Sequence, residues 1–176
     1  EEPKDLFPVV RVAHDGSAAE AYFSPDGKSL ICQAKRADDG DDHHEYTMDI
    51  DGKNMRRINN KGADACSYFF PDGKRLVWVS TRDHLDHPVK GDYSKPKNYP
   101  KGAEIYTSDL VGGKVCRLTN NETYDCEASV SPDGKLILFA RQQPDGKLDL
   151  WRMSPDGKDE FQITNMDGWQ PGGAFY

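Results

Sequence analysis

The chain has 176 residues, 36% of them hydrophobic and 30% charged, and its 30 acidic and 23 basic residues give a formal net charge of −7. No apolar run approaches the ~18 residues that a membrane-spanning helix requires, so we expect no membrane span. Lys and Arg do not cluster with aromatic residues, which argues against nucleic acid as a partner.

The chain start and the cysteines carry weaker signals. Glu1 stands first, without an initiator Met or an apolar leader, which is typical of a processed exported protein and equally of a piece of a longer one. The cysteines Cys32, Cys66, Cys116 and Cys126 form no C-x-x-C pair, which excludes zinc-ribbon, thioredoxin and covalent haem sites. We interpret them as small buried residues on strands, with a disulfide as the alternative.

One phrase, Pro-Asp-Gly-Lys, occurs five times, starting at Pro25, Pro71, Pro132, Pro144 and Pro155. Proline pre-sets φ at the second position of a turn, aspartate tolerates the next position, and glycine accepts the positive φ at which the chain re-enters a strand. Each copy therefore predicts a hairpin, and the recurrence predicts a repeat protein.

Two kinds of turn alternate along the chain, and apolar residues flank both at period two, which is typical of paired strands. The first kind is centred on Gly27, Gly73 and Gly134, and the second on Gly52, Gly112 and Gly157. Each repeat then holds four strands, A to D. In chain order we predict them at 19–24, 29–35, 44–49 and 54–59, then 64–70, 75–81, 103–110 and 114–119, then 125–131, 136–141, 148–153 and 159–164.

Repeated four-stranded antiparallel units of ~40–45 residues describe the blades of a β-propeller, and no stretch predicts a helix. The predicted fold is all-β: a partial propeller of three blades, at about 19–59, 64–119 and 125–164, within a single segment spanning 1–176.

The same spacing predicts incomplete blades at both ends. A lone D strand falls at 8–13, with Val12 at its aliphatic position, and a lone A strand falls at 169–176. Three blades cannot close a ring, so we expect the rest to come from a longer propeller or from another chain that covers the open blade edges.

Aromatic residues that recur at one register of the repeat are predicted to be core rather than a cofactor site. They are Tyr46, Tyr106 and Trp151 on the C strands and Phe23 and Phe69 on the A strands.

The sharpest cluster of metal-ligating residue types is the run Asp-Asp-Gly-Asp-Asp-His-His-Glu from Asp38 to Glu45, between strands B and C of the first blade. The run lacks the spacing of a calcium loop and of a helical zinc site. A solvated charged loop is therefore favoured over a metal site.

A 21-residue insertion from Arg82 to Gly102 lengthens the same connection in the second blade. Long loops in compact repeats are often functional, and Tyr93 and Tyr99 favour an arm that docks on a protein partner. His84 and His87 lack a third metal ligand at fixed spacing.

Strand A is innermost in a propeller blade, so the loops that lead into the A strands ring one mouth of the channel. Glu20 lies on an A strand, and acidic and aromatic residues gather near the starts of the others. An acidic mouth with an aromatic rim fits a cationic peptide segment or a cation, whereas the alternative is that the aspartates cap turns through nearby backbone N–H groups. The predicted partner-binding residues are Asp64, Tyr124, Asp125, Glu127, Trp169, Tyr93 and Tyr99.

The chain contains no G-x-S-x-G elbow, H-E-x-x-H pair, P-loop or G-x-G-x-x-G loop. Its five histidines fall in predicted loops, without a Ser or Cys partner that the sequence nominates. We therefore expect no enzymatic activity, no cofactor and no bound metal.

The Ser-Pro-Asp-Gly-Lys phrase and its flanks resemble the repeat of TolB-like β-propellers. The resembling segments are 22–31, 68–77, 128–138 and 150–164, and the likeness extends from about Val9 to Tyr176. TolB is a periplasmic protein whose six-bladed propeller binds a peptidoglycan-associated lipoprotein, but this chain lacks the α/β domain that precedes the TolB propeller and has half its blades. The resemblance implies an extracytoplasmic propeller that binds a protein.

Two alternatives remain open. Similar repeats form the gating propellers of prolyl-oligopeptidase-type serine peptidases, whose catalytic domain would follow residue 176. A cation-stabilised, lectin-like or binding propeller is the other alternative, and it would lose thermal stability on addition of a calcium chelator.

Overall fold

The computed structural model describes residues 10–86, 98–166 and 170–176, which contain twelve β-strands and no α-helix. In chain order these are β1 Ser17–Phe23, β2 Ser29–Lys35, β3 His44–Asp49, β4 Arg56–Arg57, β5 Asp64–Phe69, β6 Arg75–Ser80, β7 Glu104–Asp109, β8 Cys116–Arg117, β9 Asp125–Val130, β10 Ile137–Gln142, β11 Leu148–Met153 and β12 Phe161–Gln162. They form three antiparallel sheets: sheet 1 (β1 to β4), sheet 2 (β5 to β8) and sheet 3 (β9 to β12), each with its strands in chain order. The predicted partial propeller of three four-stranded blades is confirmed.

The Pro-Asp-Gly-Lys phrase forms the tight turn between the first two strands of each sheet. In sheet 1 the backbone N–H of Gly27, at a φ of 69°, donates to the carbonyl of Ser24 at 2.9 Å. The carboxylate of Asp26 accepts from the backbone N–H of Lys28 at 3.1 Å. Sheets 2 and 3 repeat these contacts. The phrase therefore reverses the direction of the chain and also supplies hydrogen-bond partners for the backbone groups of the turn.

The outermost strand of each sheet is shorter than predicted. β4, β8 and β12 contain two residues each. The residue two places after each turn glycine, Asn54, Lys114 or Asp159, has a φ between 52° and 55°, and the chain cannot join a ladder in that conformation. Beyond β8 the backbone N–H of Ile105 on β7 donates to a side chain, the Thr119 hydroxyl, at 2.9 Å instead of to a backbone carbonyl.

Lone strands are predicted at 8–13 and 169–176, and the structure describes these segments in part. Their described parts, 10–13 and 170–176, contain no strand. A strand satisfies its backbone groups only beside another strand, and these segments are not paired with one.

Val12 nevertheless lies against the next sheet in the same way as the residues that follow the outer strands of sheets 1 and 2. In each sheet the glycine of the second turn lies so close to a backbone carbonyl of the preceding segment that a Cβ would overlap or crowd it. The three pairs are Gly52 with Val12, Gly112 with Ile58, and Gly157 with Leu118.

Hydrophobic side chains fill the two seams between the sheets. The seam between sheets 1 and 2 contains Ile31, Ile58, Phe69, Leu76, Trp78 and Tyr106. The seam between sheets 2 and 3 includes Val77, Val79, Ile105, Ile137, Phe139 and Met153. Successive residues of β6 therefore face opposite seams, as the pleat requires, and β1, β5 and β9 lie side by side at the inner edges.

Two sequence interpretations have mixed outcomes. Phe69 is buried as predicted, but Phe23 is 68% exposed, because Phe69 packs on sheet 1 whereas no sheet precedes Phe23 among the described residues. All four cysteines are free; three are buried, whereas Cys116 is exposed.

Candidate functional site

The innermost strand of each sheet carries a β-bulge with a left-handed residue. The backbone φ is 50° at Glu20, 52° at Cys66 and 55° at Glu127, and each inner strand shifts its pairing there. A residue with a Cβ pays about 1–2 kcal/mol for this conformation, and bulges re-aim side chains beside functional sites. The three equivalent side chains line the same two cavities.

The cavities differ in size and position. The smaller, about 110 Å³, lies between the inner strands and the C-terminal segment around Gly173 and Phe175. The larger, about 530 Å³, we call the mouth cavity. Its walls include loops that lead into β3, β5, β7 and β9, so it occupies the mouth predicted from the sequence.

The mouth cavity is acidic. None of the described residues that line it is Lys or Arg, and His43 is its single imidazole. Its carboxyl-bearing residues are Glu20, Asp41, Asp42, Asp64 and Glu127. A concave site walled by one sign of charge concentrates the field, so this cavity attracts cations.

Two buried acceptor atoms belong to residues of the cavity wall. Glu127 Oε2 and Gln33 Oε1 receive no hydrogen bond from the described residues. Burial raises the pKa of Glu127, and the nearby Glu20 carboxylate raises it further. An unsatisfied buried acceptor is costly, so a group that donates hydrogen bonds would be stabilised here.

The carboxylates of Asp64 and Asp125, two of the predicted partner-binding residues, are held within the scaffold. Both side chains are fully buried. Asp64 accepts from Asn59 Nδ2 at 2.6 Å and lies 3.3 Å from His44 Nδ1. Asp125 accepts from Arg141 Nε and from a second guanidinium nitrogen, both at 2.8 Å. Within the described residues these partners are side chains, whereas the alternative proposed backbone N–H groups of turns.

The aromatic rim is partly assembled. The rings of Tyr99 and Tyr124 lie 4.8 Å apart, and Gln170 Nε2 donates to the Tyr99 hydroxyl at 3.0 Å. Tyr124 lines the mouth cavity, and burial raises its pKa well above the usual value. The other two aromatic candidates, Tyr93 and Trp169, lie outside the described residues.

The acidic run 38–45 divides between scaffold and cavity. Asp39 accepts from an Arg57 guanidinium nitrogen at 3.2 Å, and His44 is buried within β3 rather than in a loop. Only the middle of the run, 41–43, reaches the mouth cavity. In the part of the chain that the structure describes, no group of three or more His, Cys, Asp or Glu residues is arranged to hold a metal ion.

Among the described residues no helix has the length and apolar character to cross a membrane. No family model matches the chain. An uncharacterised protein of Agrobacterium fabrum is 34% identical over 62 residues, which are 35% of this chain and 21% of that protein.

Solved structures share the fold at low identity. A protein identified as TolB from Agrobacterium tumefaciens matches with a TM-score of 0.64 and 22% identity, over 83% of this chain and 50% of that one. TolB from Acinetobacter baumannii matches at 0.61 and 23%, over 82% and 31%. A structure from a study of two prolyl endopeptidases matches at 0.57 and 18%, over 92% and 23%. The chain thus spans half or less of each relative, and these likenesses show its fold.

Proposed function

We propose that this chain, which has a TolB-like β-propeller fold, is a non-catalytic protein-interaction module whose mouth cavity receives a cationic segment of a partner. Its place is the periplasm or another extracytoplasmic space, as an accessory subunit of a periplasmic or membrane-associated assembly. The observation that carries the proposal is the mouth cavity, whose described wall includes five carboxyl-bearing residues and two residues with an unsatisfied buried acceptor but neither Lys nor Arg.

The chemistry of the cavity favours a Lys or Arg side chain or a chain-terminal amine. Such a group brings positive charge and several N–H donors together, which matches the carboxylates and the two unpaired oxygens of Glu127 and Gln33. A volume of about 530 Å³ accommodates a side chain with part of its backbone. The ring of Tyr124 on the wall offers an additional contact for a cation.

Changing both Glu20 and Glu127 to glutamine is expected to weaken binding of a fluorescein-labelled hexa-arginine peptide by about tenfold or more at an ionic strength of about 0.1 M, because the cavity loses two of its carboxylates. Fluorescence anisotropy titrations measure the change. Binding to the unaltered protein is expected to weaken as salt is added.

The matched control also removes two carboxylates, by changing Asp51 and Asp133 to asparagine. Both residues are exposed, and both lie in turns at the end of the sheets that is opposite the mouth cavity. The control is expected to keep the affinity of the unaltered protein within about twofold, since charges farther apart than about 10 Å are largely screened. Equal losses in both double variants, or no binding to the unaltered protein, would refute the cavity as the site.

A second candidate is the gating propeller of a prolyl-oligopeptidase-type peptidase or another hydrolase. The likeness to a prolyl endopeptidase structure supports it. Affinity isolation from the native source followed by mass spectrometry distinguishes the two candidates. A longer polypeptide with a G-x-S-x-G elbow and a downstream Asp and His supports the hydrolase, whereas a polypeptide without them, recovered with a protein partner, supports the interaction module.

A further inference from the structure

One polar pair occupies a position that the other two sheets fill with apolar residues. In sheet 1, Gln33 of β2 lies opposite Glu45 of β3. The equivalent pairs are Val79 with Ile105 in sheet 2 and Ala140 with Leu150 in sheet 3. A glutamate at this register breaks the pattern of the repeat, and a buried polar group requires a physical explanation.

Glu45 is completely buried and joins two sheets. Its Oε2 accepts a short hydrogen bond from the hydroxyl of Ser67, which belongs to β5 of sheet 2 and is 2% exposed. Its Oε1 receives no hydrogen bond from the described residues. A single hydroxyl donor does not compensate a buried carboxylate charge, so the neutral acid fits this seam better than the anion.

The groups around Glu45 reinforce this preference. Burial, which is the largest cause, and the carboxylates of Asp64 on β5 and Glu20 on β1 together raise its pKa to about 8, against the lowering effect of Ser67. On β2, burial and Glu45 together raise the pKa of the Cys32 thiol to about 11. The basic side chains of this region, His44 on β3 and Arg57 on β4, contact Asp64 and Asp39.

We propose that Glu45, buried against Ser67, forms a proton-dependent latch between sheets 1 and 2: the neutral carboxyl group stays buried in the seam, whereas its anion draws water into the seam and loosens it, because the single bond from Ser67 does not offset the lost hydration. The latch rests on the seam contacts and does not depend on the proposed function. It stands beside the mouth cavity, because Gln33 and Asp64 both line that cavity. Loosening the seam would therefore change the shape of one cavity wall.

The sign of the pH dependence follows from the raised pKa. A carboxyl group that is protonated in the folded state up to pH 8 and ionised in the unfolded state above about 4.5 makes its full contribution to stability below 4.5. That contribution declines as the pH rises and is lost once the pH passes 8. Between these limits the unfolding equilibrium constant is expected to increase by about tenfold per pH unit because of Glu45 alone.

The test compares the unaltered protein with Glu45→Gln and with Glu45→Ile, which copies the residue of sheet 2. The unfolding equilibrium constant is measured by urea denaturation from pH 5 to pH 9. Up to about pH 8, it is expected to rise by about tenfold more per pH unit in the unaltered protein than in either variant. Hydrogen exchange, corrected for the intrinsic effect of pH, is expected to accelerate more in 44–49 and 64–69 than in 137–142. Identical pH profiles in all three proteins, or equal acceleration in every strand, would overturn the latch.

A third variant, Ser67→Ala, removes the same contact from the side of sheet 2 and tests the latch even if neither Glu45 variant folds. Removal of the hydroxyl is expected to loosen the seam already at pH 6, where the unaltered protein is closed, because the donor from sheet 2 is missing. It also raises the pKa of Glu45, so the pH-dependent decline is expected to extend to higher pH. Exchange in 44–49 that is unchanged by Ser67→Ala at pH 6 would contradict the latch.

Discussion

Replacing Arg141 with methionine is expected to lower the free energy of unfolding by about 3–5 kcal/mol. Arg141 lies on β10, where two of its guanidinium nitrogens each donate to Asp125 at 2.8 Å and another donates to Glu160 at 2.6 Å. These bonds connect the innermost strand of sheet 3 with the segment before its outermost strand. Methionine fills much of the volume but leaves the charge of the fully buried Asp125 uncompensated. Urea denaturation at pH 7 measures the loss.

Lys158→Ala is the control for a pair of the same type at the surface. Lys158 Nζ lies 2.8 Å from Asp156, and both side chains are largely exposed. We expect no measurable change in the denaturation midpoint, because water and salt screen exposed pairs. A second change, Asp125→Asn in the Arg141→Met background, is expected to recover part of the lost stability. The account is contradicted if Arg141→Met costs no more than Lys158→Ala.

Replacing Gly112 with alanine is expected to destabilise the protein by about 1–3 kcal/mol more than replacing Gly73 with alanine. Both glycines have positive φ, 77° and 63°, so both variants bear a similar backbone strain. A Cβ on Gly112 would overlap the carbonyl oxygen of Ile58 in the preceding sheet, whereas a Cβ on Gly73 would have no atom within 4 Å. The difference between the variants therefore measures how closely sheets 1 and 2 approach each other.

Denaturation of the two alanine variants in parallel gives that difference directly. Gly52→Ala extends the test to the N-terminal segment, because its Cβ would overlap the carbonyl oxygen of Val12. We expect Gly52→Ala to resemble Gly112→Ala. Equal stabilities of Gly112→Ala and Gly73→Ala would mean that the sheets do not pack as described.

The turns and the order of the strands could be predicted from the sequence because their causes are local. Each Pro-Asp-Gly-Lys turn depends on four consecutive residues, and the alternation of apolar residues places the strands beside it. The spacing of the repeat placed Val12 at an aliphatic position, and the structure brings Val12 against Gly52 as it brings Ile58 against Gly112. The short outer strands did not follow, because the left-handed residues that precede them, such as Lys114, have no distinctive residue type.

The roles of the charged residues depend on partners distant in the sequence. An aspartate such as Asp125 is expected at the surface from its residue type alone. It is buried here because Arg141 on the next strand pairs with it. Glu45 stood at the end of an acidic run that favoured a solvated loop, yet it is completely buried. The overlooked signal was its register, since the repeat places Ile105 and Leu150 at the same position.

The claim on which the cavities and both proposals depend is that the inner strands of the sheets converge on one axis. The rings of Tyr22 and Tyr68 lie 5.3 Å apart, and Phe175 lies 5.4 Å from the first and 6.1 Å from the second. A nuclear Overhauser spectrum of protein protonated only at its Tyr and Phe rings tests this arrangement. Cross-peaks that join Tyr22, Tyr68 and Phe175 to one another are predicted, whereas a spectrum in which Tyr22 has no cross-peak to either ring would contradict the account.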